Sequence, residues 1–121
     1  MSVAIYPGTF DPVTKGHLDV LSRACQLFEK VIVAVSAGNN VKNTLFDVSM
    51  RVQLVKENLS NHENAKVESF SGLLVDYALE KKANVVVRGL RAVSDFEYEF
   101  QMTQMNRHLD SSIETIFLMP N

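Results

Sequence analysis

The sequence predicts an α/β fold in which a doubly wound, parallel sheet of five strands carries helices on both faces. Two observations support this prediction. Strand-length apolar segments alternate with helix-length segments along the 121 residues, an order that makes consecutive strands parallel with a helix between them. Two of the apolar segments, 31–35 and 85–87, are uninterrupted runs of valine, isoleucine and alanine, as expected of strands buried on both faces of a parallel sheet.

Each element follows from a local pattern or from this alternation. The apolar run Val3–Tyr6 predicts the first strand, and apolar residues at three- and four-residue steps from Leu18 to Phe28 predict an amphipathic first helix. Ser94–Glu97 has the pattern of a capping box and predicts the start of the last helix. The predicted strands cover about 2–6, 30–36, 65–70, 84–88 and 114–119, and the predicted helices cover about 17–28, 48–60, 72–82 and 95–109.

Length and composition restrict the possible classes of function. A chain of 121 residues is long enough for one domain with a single packed core, and we expect one domain over 1–121. Hydrophobic residues make up 46% of the chain and charged residues 21%, which fits a soluble globular protein. The net charge of −2 provides no overall basic field, so we expect no nucleic-acid partner and only a local anion site.

The sequence also predicts a cytoplasmic protein without a membrane partner. Its longest apolar runs are strand-length and fall far short of the ~20 residues that a membrane-spanning helix requires. The N-terminus lacks the basic-then-apolar layout of a secretory signal. Cys25 is the only cysteine, so no internal disulfide can form, and a reducing compartment is expected.

The most informative segment joins the first strand to the first helix and runs from Tyr6 to His17 as YPGTFDPVTKGH. Its glycines and prolines predict a shaped turn that brings a hydroxyl, a backbone N–H and the His17 imidazole to a helix N-terminus. Such an end binds anions, because its first N–H groups lack intrahelical partners and the helix dipole is positive there. The segment predicts a phosphate site with a catalytic His17. The alternative is that His17 only caps the helix.

Other nucleotide and catalytic motifs do not match the sequence. The spacing of Gly8 and Gly16 does not fit the dinucleotide fingerprint G-x-G-x-x-G, and the segment lacks the G-K-[ST] ending of a P-loop. No His, Cys and Asp residues have the spacing of metal ligands, so we predict no metal held by protein side chains. Ser71-Gly72 lacks the G-x-S-x-G pattern of a nucleophile elbow.

A basic segment, Arg88-Gly89-Leu90-Arg91, follows the fourth predicted strand. Two guanidinium groups on either side of a glycine suit a polyphosphate, because each planar guanidinium can donate two parallel N–H hydrogen bonds to phosphate oxygens. Gly89 would let the backbone approach a ligand closely. The alternative is a surface arginine pair matched to Asp95 or Glu97.

Parallel strands end at one edge of their sheet, and the loops after the first, second and fourth strands should therefore meet there. These loops carry Thr9 to His17, Lys42, and Arg88 to Arg91. Taken alone, Lys42 is better explained by a solvated lysine in a polar loop, and only its expected position at the shared edge favours a role in the site. On the last predicted helix, Glu99 and Asn106 lie beside a methionine-rich face, which is also typical of a core or a subunit interface.

Together these segments resemble bacterial phosphopantetheine adenylyltransferases. The T-x-G-H pattern that ends at His17 is shared by the whole nucleotidyltransferase superfamily, including nicotinate-mononucleotide adenylyltransferases and glycerol-phosphate cytidylyltransferases. The run Arg88–Glu99, RGLRAVSDFEYE, is more specific and favours the pantetheine branch. The likeness continues through Met105–Arg107 and the strand at 114–119, and covers essentially the whole chain. It implies a Rossmann-like nucleotidyltransferase domain over 1–121.

This resemblance implies transfer of AMP from ATP to 4′-phosphopantetheine, a step of coenzyme A biosynthesis that gives dephospho-coenzyme A and pyrophosphate. The acceptor phosphate attacks the α-phosphorus in line, without a covalent enzyme intermediate, and Mg²⁺ arrives with ATP. Relatives assemble as homohexamers, so the resemblance implies a homo-oligomer.

The same resemblance implies roles for individual residues. His17, Lys42 and Arg91 would be catalytic, with His17 stabilising charge on the α-phosphate in the transition state. The residues that would contact ATP are Thr9, Phe10, His17, Gly89, Leu90, Arg91 and Glu99. The residues that would hold the acceptor are Thr9, Lys42, Leu74, Arg88 and Asn106. Among these, Thr9 would orient the acceptor phosphate and Leu74 would line the pantetheine arm.

The chain departs from the family in three places, one of which is the start of the second predicted helix, where Val48-Ser49-Met50 replaces the usual acidic pair. Around Lys42 the loop is one residue longer and lacks the usual basic pair and proline, so an alignment shifted by one residue is an alternative there. The chain stops at Asn121 directly after a strand, whereas relatives continue with a serine-rich loop that contacts the ATP phosphates. We therefore expect that the C-terminal segment of the family is absent.

Two other functions stay open at this point. One is a nucleotidyltransferase with another phosphorylated acceptor, such as nicotinate mononucleotide or an alcohol phosphate. The other is a nucleotide-binding fragment that does not turn over. Pyrophosphate release and its dependence on the acceptor would distinguish these functions.

Overall fold

Strands and helices alternate along the chain in the computed structural model, which describes residues 2–37, 44–90 and 112–119. The strands are β1 (Val3–Gly8), β2 (Lys30–Ser36), β3 (Ala65–Phe70), β4 (Val85–Gly89) and β5 (Glu114–Leu118). The helices are α1 (Lys15–Leu27), α2 (Val48–Lys56) and α3 (Leu74–Glu80). The helix predicted at 95–109 and its capping box at Ser94–Glu97 lie outside the described residues.

All five strands are parallel and lie in the order β3-β2-β1-β4-β5. The chain adds β2 and β3 on one side of β1 and then β4 and β5 on the other, so the direction of winding reverses between β1 and β4. Ile5 of β1 pairs with Ile32 of β2 and with Val86 of β4, which makes β1 the central strand. The predicted doubly wound sheet of five parallel strands is confirmed.

Alternate residues of the central strands pack into two cores, one on each face of the sheet. Val31, Val33 and Val35 of β2 belong to the core that α1 and α2 cover. Ile32 and Ala34 belong to the core that α3 covers. Both faces of β2 are therefore buried, which explains its uninterrupted apolar run. No helix within the described ranges is long and apolar enough to cross a membrane.

Several helix ends differ from the sequence predictions; α3 spans Leu74–Glu80 rather than 72–82, and two other differences have an identifiable cause. α1 begins at Lys15 rather than at 17, because the side chain of Thr14 accepts a hydrogen bond from the backbone N–H of His17 and makes Thr14 the N-cap. α2 ends at Lys56 rather than at 60. There the Asn58 side chain donates to the carbonyl of Leu54 at 2.8 Å, so a terminal carbonyl of the helix is satisfied by a side chain.

Candidate active site

The turn between β1 and α1 is anchored by the Phe10 side chain. Phe10 has a φ of 52°, in the left-handed region that bulky residues rarely adopt, and its side chain is buried. The ring centroid lies 5.3 Å from that of Tyr6 and 4.8 Å from that of His17, both in edge-on geometry. With this ring buried, the neighbouring Thr9 is exposed at the carboxyl edge of the sheet.

Gly8 makes room for that ring, and we expect Gly8→Ala to destabilise the protein. A Cβ atom at position 8 would come within 2.9 Å of Cε2 of Phe10, which is held in the core. Overpacking of this kind costs about 1–3 kcal/mol, which urea unfolding would measure. Gly16→Ala is the matched control: its Cβ would meet only Oγ1 of Thr14 at 3.6 Å, and alanine favours a helix. Equal stability of the two variants would contradict the prediction.

His17 takes part in the N-cap of α1 through one edge of its ring. The backbone N–H of Thr14 donates to Nδ1 of His17 at 2.9 Å, and the backbone N–H of His17 donates to Oγ1 of Thr14 at 3.2 Å, which completes a capping box. An Nδ1 that accepts a hydrogen bond carries no proton, so the proton of the neutral ring is on Nε2. The capping interpretation is thus confirmed for Nδ1, and it fixes Nε2–H as a donor beside the first turn of α1.

Arg88 reaches the same turn from β4. Its Nη1 donates to the carbonyl oxygen of Pro7 at 3.3 Å. Burial raises the pKa of Tyr6 to about 12, and the nearby positive charge of Arg88 offsets part of this effect. The guanidinium group therefore lies where β1 and β4 adjoin, at the reversal of winding where open α/β sheets bind ligands. The structure places Arg88 and the His17 turn at one edge, as the sequence predicts.

Gly89 and Leu90 have structural roles at this edge. A Cβ atom on Gly89 would come within 3.1 Å of Cγ2 of Val20, so the glycine allows α1 to pack closely on β4. Leu90 is buried, and its backbone N–H donates to the carbonyl of Leu118 at 3.0 Å. The close approach that the sequence suggested for a ligand at Gly89 is made by a helix side chain. Contacts of both residues with ATP stay predictions.

Leu74 lies at the same edge but farther along it. It is the first residue of α3 and follows β3, which is two strands, or about 10 Å, from β1. Its half-buried side chain packs against the core on the sheet face opposite to Phe10. The remaining predicted site residues, which lie outside the described parts of the chain, are Lys42, Arg91, Glu99 and Asn106.

Asp11 fastens the turn to the segment that precedes α2, a connection that is not predictable from the sequence motif. Its carboxylate accepts hydrogen bonds from the backbone N–H of Leu45, at 2.6 Å to Oδ2, and of Phe46, at 2.9 Å to Oδ1. Both partners are more than thirty positions away along the chain. The carboxylate is thus used to hold the backbone of a neighbouring loop.

Arg51 of α2 holds the turn from inside the fold, through the backbone of the turn. The sequence analysis does not predict this residue as part of the site. Its side chain is 3% exposed and donates to the carbonyl oxygens of Thr9 at 2.9 Å, Ser36 at 3.0 Å and Phe46 at 3.0 Å. The position of Arg51 in the sequence gives a signal for this structural role. Residue 51 lies one helical turn before Val55, on the face of α2 that is buried. A charged residue on an apolar stripe needs buried hydrogen-bond partners.

The described residues thus bring to one edge the groups that phosphate chemistry uses. An imidazole N–H, a guanidinium group and a helix N-terminus can bind phosphate oxygens and stabilise charge that develops on them. Transfer of a phosphoryl or nucleotidyl group asks a protein mainly for such positioning and electrostatic stabilisation. Within residues 2–37, 44–90 and 112–119, no group of three or more His, Cys, Asp or Glu side chains could hold a metal ion.

Comparison with known proteins identifies relatives along the whole chain. A family model described as cytidylyltransferase-like matches residues 5–121. The phosphopantetheine adenylyltransferase of Nautilia profundicola is 59% identical over 118 residues, which cover 98% of this chain and 76% of that protein. The protein of the same name from Clostridium novyi is 56% identical over 121 residues, which cover 100% of this chain and 74% of that protein. The chain thus spans about three quarters of the length of these relatives.

Solved structures of more distant proteins share the fold. The lipopolysaccharide core biosynthesis protein from Thermoplasma volcanium matches with a TM-score of 0.68 at 22% identity, over 100% of this chain and 97% of that one. A bifunctional NMN adenylyltransferase/ADP ribose pyrophosphatase from Francisella tularensis matches with a TM-score of 0.68 at 18% identity, over 97% of this chain and 37% of that one. At these identities the likeness concerns the fold alone, and it agrees with the predicted Rossmann-like sheet.

Proposed function

This chain belongs to the cytidylyltransferase-like family and, within it, to the phosphopantetheine adenylyltransferases, and from that membership we propose how its residues serve adenylyl transfer. The resemblance seen in the sequence is thereby confirmed, together with the prediction of an enzyme that transfers a nucleotidyl group. We propose that the substrates are ATP, with its Mg²⁺, and 4′-phosphopantetheine. On the same resemblance we propose a cytoplasmic homo-oligomer, with a hexamer as the expected assembly.

The geometry of His17 is the observation that carries this proposal. The capping box uses Nδ1, so the ring presents Nε2–H at the N-terminus of α1. In the proposed reaction an oxygen of the acceptor phosphate forms a bond to the α-phosphorus of ATP, and the bond from that phosphorus to the departing pyrophosphate breaks. Negative charge on the α-phosphate oxygens is stabilised by the Nε2–H donor and by the helix dipole.

Thr9 and Arg88 are proposed to hold the acceptor phosphate in line with the α-phosphorus. Thr9 is exposed at the end of β1, and Arg88 is fixed beside it by its hydrogen bond to Pro7. A guanidinium group binds a phosphate through two parallel N–H donors, and this fixes orientation as well as position. Orientation is what the reaction needs, since in-line attack depends on the placement of the attacking oxygen.

Pyrophosphate release with a panel of acceptors tests the proposed substrates. The chain would be incubated with MgATP and 4′-phosphopantetheine, nicotinate mononucleotide or glycerol 3-phosphate, and in parallel with MgCTP. We expect release only with MgATP and 4′-phosphopantetheine. His17→Asn, prepared in the same way, measures the background from contaminating enzymes.

Every other result of this assay would support a different function. Release with nicotinate mononucleotide or glycerol 3-phosphate would contradict the proposed acceptor and keep nucleotidyl transfer. Release with MgCTP in place of MgATP would contradict the proposed nucleotide. If ATP bound but no acceptor gave pyrophosphate, the chain would be a nucleotide-binding fragment, and the proposal would be wrong for this chain.

A further inference from the structure

Arg51 is the only charged side chain that is buried in the part of the chain that the structure describes. Buried charges are normally matched by an opposite charge, because removal from water is costly. Among the described residues, no carboxylate forms an ion pair with Arg51, and its hydrogen bonds all go to backbone carbonyl oxygens. A salt bridge within residues 2–37, 44–90 and 112–119 therefore does not explain why an arginine occupies this apolar stripe.

The three carbonyl groups belong to three separate segments at the carboxyl edge of the sheet. Thr9 is in the turn after β1, Ser36 is the last residue of β2, and Phe46 precedes α2. Nη1 of Arg51 binds the carbonyls of Thr9 and Ser36, and Nε binds that of Phe46. One planar guanidinium group thus sets the relative positions of all three segments, which a flexible point charge would do less well.

Asp11 adds a second link between the turn after β1 and the segment before α2. Its carboxylate accepts from the N–H of Phe46, while Arg51 donates to the C=O of the same residue. Phe46 is therefore held at both of its backbone polar groups, and the N–H of Leu45 adds a further bond to Asp11. We call this set of contacts, made by Asp11 and Arg51 to the turn and to residues 45–46, the backbone clasp.

The bond from Arg51 to Thr9 has a consequence for the next N–H group. The carbonyl of Thr9 and the N–H of Phe10 belong to one planar peptide unit, in which they point in opposite directions. Fixing the carbonyl toward the buried guanidinium therefore turns the N–H of Phe10 away from the core. The left-handed φ of Phe10 is unfavourable for such a residue and persists only where surrounding contacts hold it.

We propose that Arg51, with Asp11, is a positioning residue for adenylyl transfer that holds the Thr9–Phe10 peptide so that the Phe10 N–H faces the nucleotide phosphates. This inference rests on the proposed function. Arg51 itself is not placed to contact substrate, because its side chain is only 3% exposed and its Nε and Nη1 donate to backbone carbonyls inside the fold. Its effect on the reaction passes through the peptide that it binds.

Arg51→Lys tests the role, since lysine keeps the charge but cannot reach three carbonyls with one planar fork. We expect kcat for pyrophosphate release to fall at least tenfold, at a temperature well below the unfolding transition. Val55→Ala is the matched control, because Val55 is buried one turn later on α2 and contacts the same core. We expect this variant to lose comparable thermal stability and to keep kcat within about twofold. Equal kcat values for the two variants would overturn the proposal.

Amide hydrogen exchange gives a readout that does not depend on activity. Leu45 and Phe46 donate their N–H groups to Asp11 and not to Arg51, so they report whether the clasp acts as a unit. We expect Arg51→Lys to accelerate exchange at both amides at least tenfold relative to Val55→Ala. Unchanged exchange would overturn the clasp. A wild-type chain without pyrophosphate release would refute the proposed function instead, and the exchange result would still decide whether Arg51 holds the turn.

Asp11→Asn keeps the inference testable if Arg51→Lys does not fold. The amide keeps one oxygen as an acceptor and leaves the buried guanidinium in place, so the core is unaltered. We expect kcat to fall at least fivefold and exchange at Leu45 and Phe46 to accelerate. Wild-type kcat together with wild-type exchange would overturn the proposal.

Discussion

Replacement of His17 by alanine should lower turnover about 10²–10³-fold, the usual loss of one donor to a transition state, while ATP affinity changes only a few-fold. The expectation depends on the ring geometry, in which Nδ1 accepts from the backbone of Thr14 and Nε2 therefore carries the proton at the helix terminus. A donor that acts mainly on developing charge affects kcat more than ground-state binding. Steady-state pyrophosphate release and nucleotide titration measure the two quantities.

The alanine variant also loses the acceptor of the capping box, so a second variant must separate catalysis from helix stability. Asparagine carries an amide oxygen close to the place of Nδ1 and has no atom at the place of Nε2. His17→Asn should therefore retain thermal stability near that of the wild-type protein and show the low turnover of the alanine variant. Wild-type turnover in His17→Asn, or weakened ATP binding with unchanged turnover in His17→Ala, would contradict the role given to Nε2–H.

Replacement of Arg88 by methionine should raise the Michaelis constant for the acceptor about 10- to 100-fold, as expected when a hydrogen-bonding charge is removed. Methionine fills a similar volume, and inside the protein the change removes the 3.3 Å hydrogen bond to the Pro7 carbonyl. Arg88→Lys is the control, because it keeps the charge and loses the planar fork. We expect an intermediate Michaelis constant for it. An effect of either variant on ATP alone would assign Arg88 to the nucleotide side of the site.

The fold could be predicted from the sequence because its signals are local and consistent. Uninterrupted runs at 31–35 and 85–87 indicate strands buried on both faces, and the alternation of elements indicates a parallel sheet. The rule that ligands bind at the carboxyl ends of the strands then places the His17 turn and Arg88 at one edge. The structure agrees on each of these points.

The contacts that shape the site are not local and could not be read in the same way. Asp11 and Arg51 find their partners across loops, and no spacing rule connects Asp11 with residues 45–46. Gly89 is required by the approach of Val20 from α1, although a glycine after a strand equally suggests a ligand. The start of α1 differs for a local reason, because Thr14 is the N-cap and the sequence prediction began the helix at His17.

The central position of β1 has a consequence for how the protein acquires its activity. Pro7 and Arg88 touch across the middle of the sheet although 81 positions of chain separate them. The two halves of the site therefore meet only when β4 has paired with β1, whereas the imidazole of His17 is held by the local cap at Thr14. Ligands that need both halves select the completed sheet and stabilise it by mass action. Substrate supply thereby becomes a determinant of the fraction of molecules that is folded.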